Sequence, residues 1–365
     1  MAPMPATGNI PRRYTQRDGG RISVVHFAIA VVGMALLLVI AGAAPSQAAT
    51  AQAAPLAQPA PDSSLAQPAA ASLLTQAASD GPVVGSTETF WAMDWSSSSY
   101  KQIPAAVRYV GEHTIIYVHT HSLVPESHVV SLGDAFDTVI YPAVTAAYGP
   151  APDPGIDDEP RIAILIYDFY DPAIEGSFNP RDIQPNGSDV SNRREMFYLN
   201  QQAIIYEPQN AGALAAHEFA HLVLHYRDVV LDPSPGAVPE VDWLTEGFTT
   251  YAEHLAGYDA RVESQLRAFT SNPDLSLTRW MGYRADYGSS YAFMRYLGDR
   301  MGPAFIRALV DEPLDGVPGL NAVVRRFDSF QSFPTLYDDW VLANYLDIRP
   351  PVSPPYAYND LAVSA

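Results

Sequence analysis

Residues 211–227 read AGALAAHEFAHLVLHYR, and residues 243–257 read WLTEGFTTYAEHLAG. Apolar residues recur in both at three- and four-residue intervals, which predicts helices over 211–227 and 243–257. In the first stretch His217 and His221 stand four apart. Residues at that spacing share a helix face about one turn apart, so both imidazoles can aim at one point, a bite that suits zinc. Glu218 sits beside the pair, within reach of a water held there, which is the mechanical content of a HExxH segment. A catalytic zinc needs a third protein ligand and an open position. A third His six residues on is excluded, because Leu224 and Arg227 occupy the positions that need Gly and His. The remaining option is a Glu on the next helix. Glu246 follows His221 after 24 intervening residues, and Pro233, Pro235 and Pro239 in that interval let the chain double back into an antiparallel helix.

Working outward, the segment before these helices reads as strands. AAVRYVGEHTIIYVH (105–119) predicts two β-rich runs around a Gly-Glu-His turn. Residues 124–148 follow a helical period, with Val129, Ala135, Phe136, Val139 and Ile140 to one side. RIAILIYDF (161–169) is nearly continuous in apolar residues and predicts a buried strand, and EMFYLN (195–200) predicts another. A polar loop (178–192) separates them. Further helices are expected at 288–301, 303–311 and 332–347. Mixed strands first and helices later is an α+β pattern.

Composition narrows the chemistry. The chain has no cysteine, which excludes a disulfide scaffold, a thiol nucleophile, a Cys-type zinc site and an iron–sulfur cluster. Any metal must be held by His, Asp or Glu. The net charge of −19 argues against nucleic acid as a partner. That charge is unevenly spread. Residues 1–48 hold four arginines and one aspartate, which leaves 17 basic and 39 acidic residues in the rest, a net −22. The uncharged apolar run 24–44 behind those arginines has the form of a signal peptide, with Ser46-Gln47-Ala48 as a cleavage site. The run is also long enough to be an uncleaved membrane anchor. Residues 49–84, rich in Ala, Gln, Pro and Ser, read as a linker or short propeptide. Folding is expected over 85–365, with a sheet-rich part at about 85–227 and a helical part at about 228–350.

HEFAH followed by WLTEGFTTYAE resembles the HExxH…WLxEG…E pattern of the gluzincin metallopeptidases. The fuller run of DDEPRIAILIYDF, SFNPRD, SNRREMFYLN, HEFAHLV, WLTEGFTTYAEHLAG and YGSSYAFMRYLGDRMG is similar to the secreted hyicolysin-type peptidases, over roughly residues 85–350. The interval from His221 to Glu246 is longer than in the aminopeptidase branch, and no motif for binding an N-terminal amine is recognisable, which argues against an aminopeptidase. The resemblance implies a zincin-like catalytic domain with His217, His221 and Glu246 as zinc ligands and Glu218 as general base. It also implies a Tyr donor for the oxyanion. Tyr287 is the matching position, with Tyr291 and Tyr283 as competitors. In this class an edge strand near the metal pairs with extended substrate, and EMFYLN is the candidate beside the plainer reading of a core strand.

Other residues carry two readings each. Glu253, seven after Glu246 on the same face, is either a carboxylate behind a ligand histidine or a solvated helix residue. His225 and His254 read as packing or surface. Asp157-Asp158-Glu159 reads as an acidic turn; Ca2+ there is the weaker reading, since no full ligand loop is visible. Asn186-Gly187-Ser188 is a formal glycosylation sequon. The expectation is a secreted or extracytoplasmic, monomeric, zinc-dependent endopeptidase acting on protein or peptide substrates. Membrane contact is expected only through the N-terminal segment. The alternatives are a non-catalytic zinc-binding or adhesive protein, and a zinc hydrolase of another amide or ester.

Overall fold

A computed structural model describes residues 81–184, 189–232, 237–329, 331–346, 356–359, 361 and 363. The segment 1–48, residues 49–80 of the spacer, the sequon at Asn186 and the prolines 233 and 235 lie outside the described residues. Among the described residues no helix is long and apolar enough to cross a membrane.

Six strands form one mixed sheet: β1 (Thr87–Asp94), β2 (Ser99–Val110), β3 (Thr114–His119), β4 (Ile162–Tyr167), β5 (Gly176–Phe178) and β6 (Met196–Asn200), in the order β1-β2-β3-β4-β6-β5. β4 runs parallel to β3 and β6, and the other pairs are antiparallel. β4 is buried at every position because both faces are covered. Ile162, Ile164 and Ile166 join Phe197 and Leu199 in the main core under the helices. Ala163, Leu165 and Tyr167 join Met196, Tyr198, Phe90 and Phe169 in a smaller core on the other face. This is the period-2 alternation of strand side chains expressed on two faces.

Between β3 and β4 the chain forms α1 (Glu126–Ala135) and α2 (Tyr141–Tyr148), joined by a π-helical turn over Phe136–Ile140. α3 (Gln201–Tyr206) leads from β6 into α4 (Ala211–His225), followed by α5 (Asp242–Leu255), α6 (Asp259–Thr270), α7 (Arg284–Met301), α8 (Pro303–Val310), α9 (Gly316–Phe327) and α10 (Phe333–Leu346). Fourteen residues of α4 are buried, so it is enclosed on every side rather than amphipathic. Phe219 anchors it, with Phe136 edge-on at 5.0 Å and Tyr141 stacked at 5.5 Å. One apolar cluster runs from the sheet through α4 into α5, α7 and α10.

The fold class is α+β as the sequence predicts. The strands at 105–119, 161–169 and 195–200 and the five late helices are present, with ends shifted by a few residues. Elements beyond those expectations are β1, β5, α3, α6 and α9. α7 begins at Arg284 rather than 288. Gly288 is not a break but a point of close approach: a Cβ there would stand 2.1 Å from the Gln265 carbonyl oxygen, so α6 and α7 touch backbone to backbone.

EMFYLN is an internal strand, hydrogen-bonded to β4 on one side and β5 on the other, so it cannot accept substrate as an edge. The sheet ends instead at β5. Glu195, at the head of EMFYLN, is buried and accepts the Ile156 N–H at 3.1 Å. Burial pushes its carboxyl from 4.5 up to about 7, against the pull of that hydrogen bond. A group whose pKa is raised on folding adds stability below its unfolded value and loses it as pH rises through the folded one. Glu195 therefore costs stability progressively between about pH 4.5 and 7, on the order of 3 kcal/mol in full. Glu195→Gln should flatten the fall of Tm over that window; a parallel pH profile for both proteins would contradict this.

Candidate metal centre

α4 and α5 pack together and bring three side chains to one point. The ligand-capable atoms of His217, His221 and Glu246 all lie within 4.8 Å of one another, the one group of this kind among the described residues. His217 Nε2 is 3.3 Å from Glu246 Oε2, and His221 Nε2 is 3.8 Å from Glu246 Oε1. The two imidazoles stand 5.0 Å apart and turned by 70°. His217 and Glu246 are buried, and His221 is nearly so.

The far side of His217 is held as well. Glu253, one face and two turns along α5 from Glu246, is fully buried and meets His217 Nδ1 at 2.9 Å. Glu253 accepts from Nδ1, which leaves Nε2 as the ring nitrogen that faces Glu246 and His221. Arg261 of α6 donates to Glu253 and, from Nη2, to Glu175 Oε2 at 3.1 Å. The chain of contacts runs from the residue before β5 through Arg261 and Glu253 to His217.

Charge in this enclosure is shared rather than solvated. Burial works against a charged His217, but the hydrogen bonds it donates to Glu246 and Glu253 carry its pKa up to about 10. Burial drives His221 down to about 4. Burial would raise Glu246, yet the two histidines hold it below the usual carboxylate range. Two imidazoles and a carboxylate whose ligand atoms converge, with an outer carboxylate behind one imidazole, form a group that could hold a metal ion once His217 gives up its Nε2 proton.

Glu218 lies one residue from His217 and lines the same pocket as His217, Tyr287 and β5. Burial lifts its carboxyl to about 7. The backbone of β5 presses against it: a Cβ on Gly176 would fall 2.5 Å from Glu218 Oε1. Tyr287 sits in the first turn of α7, 5 % exposed, with its ring 6.4 Å from His217 and 4.8 Å from Trp280. Burial and the nearby carboxylates raise its phenol well above its ordinary range, so it stays protonated and can donate. The two competitors lie elsewhere. Tyr291 is buried with its ring 6.2 Å from His254, and Tyr283 caps α7 at the exposed surface.

The remaining readings resolve individually. His225 is buried against Phe178, 5.7 Å between rings, a packing residue. His254 is not a bare surface residue, since it is held by Asp259 and Arg295. Asp157 faces Arg194 at 3.6 Å and Glu159 forks onto Arg161, so two of the three acids of this turn are paired with arginines. Arg261 was beyond the sequence reading. Its only signal is the Val262, Leu266, Phe269 spacing of a short polar helix.

Removing the carboxylate behind His217 should weaken metal binding without touching a ligand. Glu253→Ala should lower affinity for added Zn2+ by about 10–100-fold in a chelator competition, and Glu253→Gln, which keeps an acceptor, by less. Equal affinities for all three proteins would remove Glu253 from the centre. Compared with models of known protein families and with curated proteins, the chain finds no match.

Proposed function

We propose that this chain is an exported zinc-dependent peptidase, acting within protein or peptide chains. The observation that carries the reading is the convergence of His217, His221 and Glu246 at one buried point, with Glu218 beside them in an open pocket. The basic–apolar N-terminus supports export, and the resemblance of HEFAH and WLTEG to gluzincins supports peptide hydrolysis.

His217, His221 and Glu246 would hold the metal. Zinc, when bound in such a set, supplies Lewis acidity and lowers the pKa of water. The chain's own residues then have definite tasks. Glu253 keeps the His217 ring in the tautomer that offers Nε2. Glu218, with a pKa near neutrality, takes the proton of the attacking water and passes it to the leaving amine nitrogen. Tyr287 offers its phenolic proton to the oxygen that gains charge as the carbonyl carbon becomes tetrahedral. β5 supports a peptide rather than a small ester as substrate. It is one of the sheet's two edge strands, the other being β1, and its backbone at Gly176 lies against Glu218. An extended peptide laid along β5 would gain main-chain hydrogen bonds with its scissile carbonyl near Glu218.

The test is cleavage of unfolded casein by the purified protein. Activity should disappear with a chelator and return with Zn2+. Glu218→Gln should keep its zinc while kcat falls by about 10²–10⁴-fold, and His217→Ala should lose both. Stoichiometric zinc with no hydrolysis of any peptide would favour a binding protein or a hydrolase of another bond.

A further inference from the structure

The pocket wall that extends from His217, Glu218 and Tyr287 is built by α6 and the start of α7, and it includes two arginines. They differ in one respect. Arg261 is committed to Glu253 and Glu175. Arg284, the first residue of α7, has no carboxylate partner among the described residues. Its one hydrogen bond there runs from Nη1 to Ser264 Oγ at 2.9 Å. The nearby acids are spent elsewhere. Asp286 Oδ2 accepts the backbone N–H groups of Met281 and Tyr283, and Glu263 pairs with Arg267. Next to Ser264, Gln265 is 7 % exposed, and its side-chain Oε1 has no hydrogen-bond partner. A primary amide can turn to present either its oxygen or its NH2.

Arg284 is exposed on this wall, so its guanidinium is open to a ligand, and in a chain of net charge −19 it is a local cation that attracts an anionic group. The fork of N–H donors on arginine matches a carboxylate in two parallel bonds, and the positive end of α7 adds to the attraction. We propose that Arg284, with Ser264 and Gln265, forms a subsite that selects a carboxylate on the peptide beside the scissile bond. This proposal deepens the peptidase reading and rests on it for the term substrate. The carboxylate is either an Asp or Glu side chain or a free C-terminus, and a basic side chain at that position meets like charge.

The test uses the full chain carrying Glu218→Gln and loaded with Zn2+, with fluorescent peptides differing only next to the scissile bond (Glu, Gln or Lys), each as free acid and as C-terminal amide. Binding is read by anisotropy. The Glu peptide should bind about tenfold tighter than its Gln isostere. Adding Arg284→Ala should narrow that ratio below about threefold, Arg284→Lys should restore part of it, and Arg284→Glu should reverse it in favour of Lys. If the gain follows the free acid instead of the Glu side chain, the C-terminal carboxylate is the ligand. Equal affinity for every peptide, or a preference that survives all three Arg284 variants in folded, zinc-loaded protein, overturns the subsite. Hydrolysis of the same peptides by the unaltered chain separates the two claims. Cleavage without a carboxylate preference removes the subsite and keeps the peptidase. Arg284-dependent binding without cleavage of any peptide keeps the subsite and removes the peptidase.

Discussion

The rest of the structure depends on the hydrogen bond from His217 to Glu253. α4 is enclosed on every side, and it carries three histidines and a glutamate into that enclosure. An unpaired ionised group in such a place costs several kcal/mol, so each must be matched by a neighbour. Glu253 and Glu246 match His217, Arg261 matches Glu253, and Glu175 shares Arg261. The network ties α4, α5, α6 and the strand edge into one unit. It also aims Nε2 of His217 where Glu246 and His221 can share an ion with it.

Around that unit the fold supplies shape. Phe136 of the π-helical turn and Tyr141 of α2, backed by Phe197 of the sheet, give α4 a wall against which Phe219 is fixed. On the other side α7 closes the pocket with Tyr287 in its first turn, and the contact at Gly288 lets α6 and α7 lie backbone to backbone. β5 completes the pocket where no side chain would fit, since Gly176 leaves room for Glu218. Rigid elements therefore carry every group to which the proposed chemistry assigns a task, which favours a fixed geometry over one assembled by loops.

How much was legible in the sequence follows from how far each signal reaches. His217, Glu218 and His221 share a helix, and their spacing alone places them on one face. Glu246 and Glu253 share another helix at a seven-residue interval, so their common face was legible too, though Glu253 remained evenly balanced between two readings. The strands 105–119, 161–169 and 195–200 are long enough for alternation or continuous apolarity to register. β5 has three residues, too few for any period, and EMFYLN, which carried both an edge and a core reading, is the internal strand of the core reading. α6 is largely polar, with only Val262, Leu266 and Phe269 as a sparse apolar stripe, so nothing along the chain marks the helix or shows that Arg261 stands behind the centre. α9 contains Gly316, Pro318 and Gly319, which mask a helix whose Leu320, Val323 and Val324 are buried.

By itself the sequence determined the donor types, nitrogen and oxygen in the absence of cysteine, and the local pairs that a helical repeat places side by side. Those are properties of short intervals, set by the 3.6-residue turn and by elemental composition. Only the tertiary structure decided which carboxylate stands behind which imidazole, which strand edge lies beside Glu218, and which of the two pocket arginines is committed to carboxylates. These depend on contacts between segments 20 to 86 residues apart, from Ser264 to Arg284 and from Glu175 to Arg261. Packing selects such contacts by shape and by the cost of buried charge, and neither leaves a periodic trace along the chain.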